Sequence, residues 1–119
     1  MIASGLRVLV VAGHPAIGKL MTLILHAAAH RVVAVTSGQE ALECLRVEQF
    51  DVVLSDLHIG RDIDGLGLCA LVRRCWPGVR FVLATGSIGL STLEAKAVGV
   101  DQLLIKPFLP AEIRRSVAA

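Results

Sequence analysis

Apolar positions along this 119-residue chain follow two alternating rhythms. Short unbroken runs, such as Val8–Ala12 and Phe81-Val82-Leu83-Ala84, alternate with longer stretches whose apolar residues recur three and four apart. The first rhythm predicts strands covered on both faces, and the second predicts helices with one inward stripe. Leu6–Ala12, Arg31–Val35, Asp51–Asp56, Arg80–Thr85 and Asp101–Ile105 read as strands. Pro15–Ala29, a segment from Ser37 to about Glu48, Asp64–Trp76, a short segment opened by Ser91 or Thr92 and ending at Gly99, and Pro110–Val117 read as helices.

Local chemistry supports these boundaries. Pro15 suits a first helical turn, where its missing N–H would have no partner anyway. Ser37 with Glu40 three residues on forms a capping box, and Ala41, Leu42, Cys44 and Leu45 supply an inner stripe behind it. Pro77-Gly78 stops the third helix. Strict strand–helix alternation with short connections implies parallel strands and right-handed crossovers, hence one α/β domain over 1–119 with a doubly wound sheet. No repeat, linker or low-complexity segment interrupts it. In such sheets, chemistry gathers at the carboxyl ends of the strands. Here those ends carry Ala12-Gly13, Ser55-Asp56, Thr85-Gly86 and Lys106-Pro107.

Composition changes this picture little. A hydrophobic share of 55% against 18% charged suits covered strands, and 3% aromatics makes the core aliphatic. A net charge of +2, with Lys and Arg scattered, gives no argument for nucleic acid. Cys44, Cys69 and Cys75 lack metal-ligand spacing and read as reduced core thiols of a cytoplasmic protein. Arg7 breaks the first apolar stretch, so no signal peptide is expected there. Leu20–Ala29 falls short of the ~20 residues that span a bilayer, and the chain is expected to be soluble.

One motif points elsewhere. Gly13-His14-Pro15-Ala16-Ile17-Gly18-Lys19 has the spacing of a nucleotide-binding P-loop. However, Leu20 stands where a Ser or Thr would hold Mg²⁺, and Pro15 removes a backbone donor. A small P-loop-like nucleotide binder is therefore a distant alternative. On the plainer reading Gly18 and Lys19 belong to the first helix, with Lys19 facing solvent.

The other strand ends form a more specific set. Asp56 follows VVLS, Thr85 follows FVLA, and Lys106-Pro107-Phe108 follows LLI. In this order the set resembles the receiver domain of bacterial two-component response regulators, across essentially the whole chain. The resemblance implies a flavodoxin-like fold, a (βα)5 three-layer sandwich with strand order 2-1-3-4-5. It implies that Asp56 is the phosphoacceptor for a histidine kinase, that Thr85 and Lys106 sense the phosphoryl group, and that a cis bond precedes Pro107. His14-Pro15 matches the His/Glu-Pro that often begins the first helix.

The same resemblance exposes departures. The family ends its first strand in two acids that hold Mg²⁺ beside the phosphoacceptor, where this chain has Ala12-Gly13. Asp56 is then the only carboxylate clearly placed there, and Mg²⁺ binding is expected to be weak or absent. Asp62 and Asp64 are near in sequence, but Asp64 reads as the cap of the third helix. The loop after Asp56, LHIGRDIDG, is one residue longer than the common pattern, and Gly60 in place of Pro predicts a more mobile lip. Leu103 occupies the position of the family's switch aromatic and cannot repeat its inward swing. His58 reads as an exposed loop histidine, and His26 and His30 as surface or helix-end residues.

Two readings follow. In one, a degenerate receiver acts as an interaction module without enzymatic activity; the lost acids and aromatic favour it. In the other, Asp56 is a working phosphoacceptor with altered metal help, favoured by the intact Asp56, Thr85 and Lys106. The implied partner is a histidine kinase or another signalling protein, with no direct contact to nucleic acid or membrane. The fourth helix, fifth strand and fifth helix usually form the partner face, here Leu93, Val98, Leu109, Ile113 and Arg114, and a homodimer is possible through it. No output domain follows the last helix, so action through partners, or as a module of a longer chain, is expected.

Overall fold

A computed structural model describes residues 4–86 and 92–119. Five strands alternate with five helices: β1 (Arg7–Val11), α1 (Pro15–Ala27), β2 (Arg31–Val35), α2 (Gly38–Val47), β3 (Val52–Asp56), α3 (Gly65–Cys75), β4 (Arg80–Thr85), α4 (Thr92–Val98), β5 (Gln102–Ile105) and α5 (Pro110–Ala118). The strands form one parallel sheet in the order β2-β1-β3-β4-β5. This is the doubly wound flavodoxin-like order expected from the sequence.

Alternation along the central strands divides the core in two. Val8 and Val10 of β1, Val52 and Leu54 of β3, and Val82 and Ala84 of β4 face α1 and α5, where they meet Met21, Leu25, Ile113 and Val117. Leu9, Val11, Val53, Phe81 and Leu83 point the other way, onto Ala41 and Leu45 of α2, Leu68, Cys69 and Val72 of α3, and Ala95 of α4. Both faces are covered, which explains why these strands read as unbroken apolar runs.

Element ends follow their capping chemistry. Ser37 accepts from Glu40 N–H at 3.2 Å, and the Glu40 carboxylate reaches back one residue further than a simple box, to Thr36 N–H at 3.2 Å and its hydroxyl at 2.7 Å. Those bonds hold the Glu40 carboxyl below its ordinary pKa. Asp64 caps α3 by accepting from Gly67 N–H at 2.8 Å. α1 stops two residues before the expected Ala29, which takes a left-handed φ of 68°. Thr92 opens α4, and Ser91 lies outside the described residues.

Several expectations need correction. Residues 15–27 are helical and Gly18 is buried inside that helix, so the P-loop spacing encodes no phosphate-cradling loop. Lys19 is exposed, as the plainer reading required. His30 is buried rather than superficial: its Nδ1 accepts from Leu6 N–H at 3.2 Å, while Nε2 is buried without a partner. Of the three cysteines only Cys69 is a core thiol, its pKa pushed up to about 11 by burial; Cys44 is half-buried and Cys75 exposed. Among the described residues no helix is long and apolar enough to cross a membrane.

Candidate functional site

The carboxyl ends of β3, β4 and β5 lie side by side, because Asp56 pairs with Ala84 and Thr85 with Ile105 in register. Their ends line one shallow cleft of about 50 Å³ with Asp56, His58, Thr85, Gly86 and Lys106 in its wall. That is room for one or two waters at ~30 Å³ each within the cleft, which opens to solvent beside Lys106. The three residues expected to work together are therefore together.

Asp56 and Thr85 are buried, and Lys106 stands half-exposed at the rim. Lys106 Nζ lies 3.2 Å from Asp56 Oδ1. The contact is a charge pair rather than a well-directed hydrogen bond, since Oδ1 finds no hydrogen-bond partner. Burial raises the Asp56 pKa, and the charge and close contact of Lys106 oppose that rise without cancelling it. Backbone ties fix the frame: Leu57 N–H donates to Ala84 C=O at 3.0 Å and Lys106 N–H to Thr85 C=O at 2.9 Å. The Lys106–Pro107 bond is cis, as expected.

The first strand brings no acid to this cleft. Ala12 is buried, and Gly13 follows it, exposed but close to the loop after Asp56. A Cβ on Gly13 would stand 3.0 Å from the His58 carbonyl oxygen and 3.5 Å from Ile59 Cα. A side chain there needs the His58 carbonyl to give by a few tenths of an ångström. Asp62 is exposed and absent from the cleft wall, and Asp64 is committed to its helix cap. Among the described residues no three His, Cys, Asp or Glu side chains gather as a metal site. The Mg²⁺ site of the resemblance has two acids at the end of its first strand; here that strand end offers Ala12 and Gly13, and Asp56 is the carboxylate in the cleft wall.

The loop itself differs from expectation. Ile59 is fully buried in the core beside α2, and Ile63 packs against the same cluster. Gly65 N–H donates to Leu57 C=O at 2.7 Å, and Gly65 lies so close to the Asp56 carbonyl that a Cβ there would overlap it. The lip is pinned by two apolar anchors and a close helix start rather than loosened by Gly60. Sequence reasoning missed this because it weighed the loop's glycines and passed over Ile59 and Ile63, spaced four apart in an otherwise polar stretch. It also missed His14 as the N-cap of α1, where Nδ1 accepts from Ala16 N–H at 3.2 Å. Leu103 is half-buried against the core on the α3–α4 side of the sheet.

The Response regulator receiver domain family matches residues 8–118. The chain belongs to that family. This receiver domain is 31% identical over 108 residues to the transcriptional regulatory protein BaeR of Escherichia coli O6:H1, covering 90% of the chain and 44% of that protein. It is 32% identical over 107 residues to the transcriptional regulatory protein TcrA of Mycobacterium tuberculosis, covering 88% and 42%. The receiver domain thus spans a little under half the length of these two relatives. Among solved structures it matches the chemotaxis response regulator CheY4 of Vibrio cholerae with a TM-score of 0.83 and 27% identity, over 92% of this chain and 93% of that one. The BeF3-activated DrrB receiver domain matches with a TM-score of 0.81 and 26% identity, over 96% and 98%. It is a response regulator receiver domain of the two-component type.

Proposed function

We propose that this receiver domain works in two-component signalling chiefly as a protein-interaction module, with weak or no magnesium-dependent phosphorylation of Asp56. One observation carries the reading: Ala12 and Gly13 stand where metal-holding acids are expected, and the His58 carbonyl lies 3.0 Å from any Cβ added at Gly13. Without a bound divalent ion, Lys106 offsets part of the charge on a transferring phosphoryl group, and metal assistance worth several kcal/mol is lost. The domain is read as a cytoplasmic, non-enzymatic partner of a histidine kinase or another signalling protein, touching neither nucleic acid nor membrane.

The surface assigned to that partner is the α4–β5–α5 face. Leu93, Ile105 and Leu109 are exposed there at 80%, 53% and 67%. Ile113, expected on this face, instead belongs to the core against α1, and Val98 packs inward. Homodimerisation through this face is the competing use of the same surface.

A second reading, Asp56 as a working phosphoacceptor, is favoured by the 3.2 Å Lys106–Asp56 contact with Thr85 in the same cleft wall. Incubation with acetyl phosphate and Mg²⁺, followed by intact-protein mass spectrometry, separates the two. The first reading predicts no lasting adduct. An adduct on the native chain that is absent from Asp56→Asn would establish the second.

A further inference from the structure

We propose that the end of the domain opposite the Asp56 cleft is a docking face for an acidic segment of a partner protein, anchored by an apolar side chain between α2 and α3. All five strands are parallel and each helix runs back beside them, so strand starts and helix ends share that end of the molecule. It collects eight of the chain's twelve Lys and Arg residues. Arg46, Arg73, Arg74, Lys96 and Arg115 lie in last helical turns, where the helix dipole favours cations. Arg7, Arg31 and Arg80 begin strands, where no helix dipole asks for one.

Few acids oppose these cations. Glu48 lies 3.7 Å from Arg7, Asp101 pairs with Arg73, and Asp51 accepts from Arg7 N–H at 2.8 Å. Arg31, Arg46, Arg74, Lys96 and Arg115 are exposed and form no ion pair among the described residues. Six of the ten acids, Glu40, Asp56, Asp62, Asp64, Glu94 and Glu112, gather at the other end. A negatively charged segment is therefore steered towards the helix ends and away from the Asp56 cleft.

Charge alone picks no spot on this face; a cavity does. One of about 500 Å³ opens between the last turns of α2 and α3. Leu45, Phe50 and Val79 are buried in its wall, Trp76 is half-buried, and Val47 stands 81% exposed. The two acids of the wall, Glu48 and Asp51, are both engaged by Arg7, whereas its Arg46 has no acid of its own among the described residues. An apolar anchor flanked by carboxylates matches that wall: the anchor covers Val47 and Trp76, and a flanking carboxylate meets Arg46. A nucleic-acid strand matches it less well, since its continuous phosphates run against Glu48 and Asp51. The cavity lies outside the α4–β5–α5 face, and the assignment does not depend on whether Asp56 is phosphorylated.

Trp76 is the chain's one tryptophan, so its fluorescence reports on the cavity. The probe is a synthetic peptide of roughly ten Glu residues interrupted by a central Leu pair, titrated at about 0.1 M salt, whose Debye length of about 10 Å is well short of the 27–32 Å domain. The expected result is a saturable change in Trp76 emission with a dissociation constant of roughly 10–100 µM. Arg46→Glu weakens binding at least about tenfold, and so does replacing the Leu pair of the probe by Ser. Lys19→Glu makes the same charge change near the start of α1 and leaves binding unchanged. Arg46 and Lys19 are both exposed, and circular dichroism checks that the variants fold. No saturable change up to about 1 mM probe overturns the proposal. Equal weakening by Lys19→Glu and Arg46→Glu overturns it too, because binding then follows net charge and not the cavity. Undiminished binding of the Ser probe overturns the apolar anchor, and tighter saturation by single-stranded DNA of equal charge assigns the face to nucleic acid.

Discussion

Replacing Asp56 by Asn should stabilise the fold at neutral pH. The Asp56 side chain is 9% exposed, and the ammonium paired with it, Lys106 Nζ at 3.2 Å, is itself 40% exposed. An imperfectly satisfied buried charge costs about 1–3 kcal/mol, and a half-exposed ammonium returns about 1 kcal/mol or less. The residual cost is about 1 kcal/mol, in line with a pKa raised overall despite Lys106. Unfolding a domain of 119 residues carries roughly 0.25 kcal/mol per kelvin of entropy, so the gain is about 4 °C in melting temperature. The pH dependence fixes the sign. A raised acid pKa means that the folded state binds more protons than the unfolded state between the ordinary value of 3.8 and the folded value. Native stability from this group therefore falls as pH rises through that window, and the cost is complete above it. Scanning calorimetry of the native chain and Asp56→Asn should show the gain near pH 7 and its disappearance below about pH 3.8, where Asp56 is protonated in both states. Destabilisation by Asn at pH 7 would mean that the Lys106 attraction outweighs burial, and would refute this electrostatic account.

Other consequences can be checked alongside. Ala12→Asp with Gly13→Asp should lower stability by about 2–4 kcal/mol in urea titrations, because Ala12 is buried and a Cβ at Gly13 crowds the His58 carbonyl, and should raise Mg²⁺ affinity by calorimetry only as far as that carbonyl gives way. Deleting Arg61 in that background, which returns the loop to the common length, should let the affinity rise. Ile59→Ala should cost about 2–4 kcal/mol in the same titration, as expected of a core anchor and not of a mobile lip. Burial lowers the His30 pKa below 6.5, so the unfolded chain takes up this proton first. Stability should then fall as pH drops through the interval below 6.5, and His30→Gln should flatten that slope in chemical denaturation.

The fold was legible because its determinants are local and repeated. Five apolar runs, five amphipathic segments and the Ser37–Glu40 and Asp64 caps each act within a few residues, and parallel alternation leaves few topologies open. Asp56, Thr85 and Lys106 were legible for a related reason: each ends a strand, and parallel register brings strand ends together. The burial of His30 was not, since it depends on Leu6 twenty-four residues away offering an N–H. Nor was the approach of the His58 carbonyl to Gly13, because a glycine's neighbours leave no trace in local pattern. Ile113 was misplaced on the partner face because only half a helical turn, about two residues, separates an α5 position facing α1 from one facing solvent.

The central claim is that Asp56, without acidic neighbours, does not hold a divalent ion. A Mg²⁺ titration followed by ¹H–¹⁵N NMR on the native chain, repeated with beryllofluoride, tests it most directly. The account predicts no saturable shifts at residues 56–59, 85–86 and 106 up to about 20 mM Mg²⁺, with or without the fluoride. Saturable shifts centred on those residues with a dissociation constant below about 1 mM, abolished in Asp56→Asn, would contradict it.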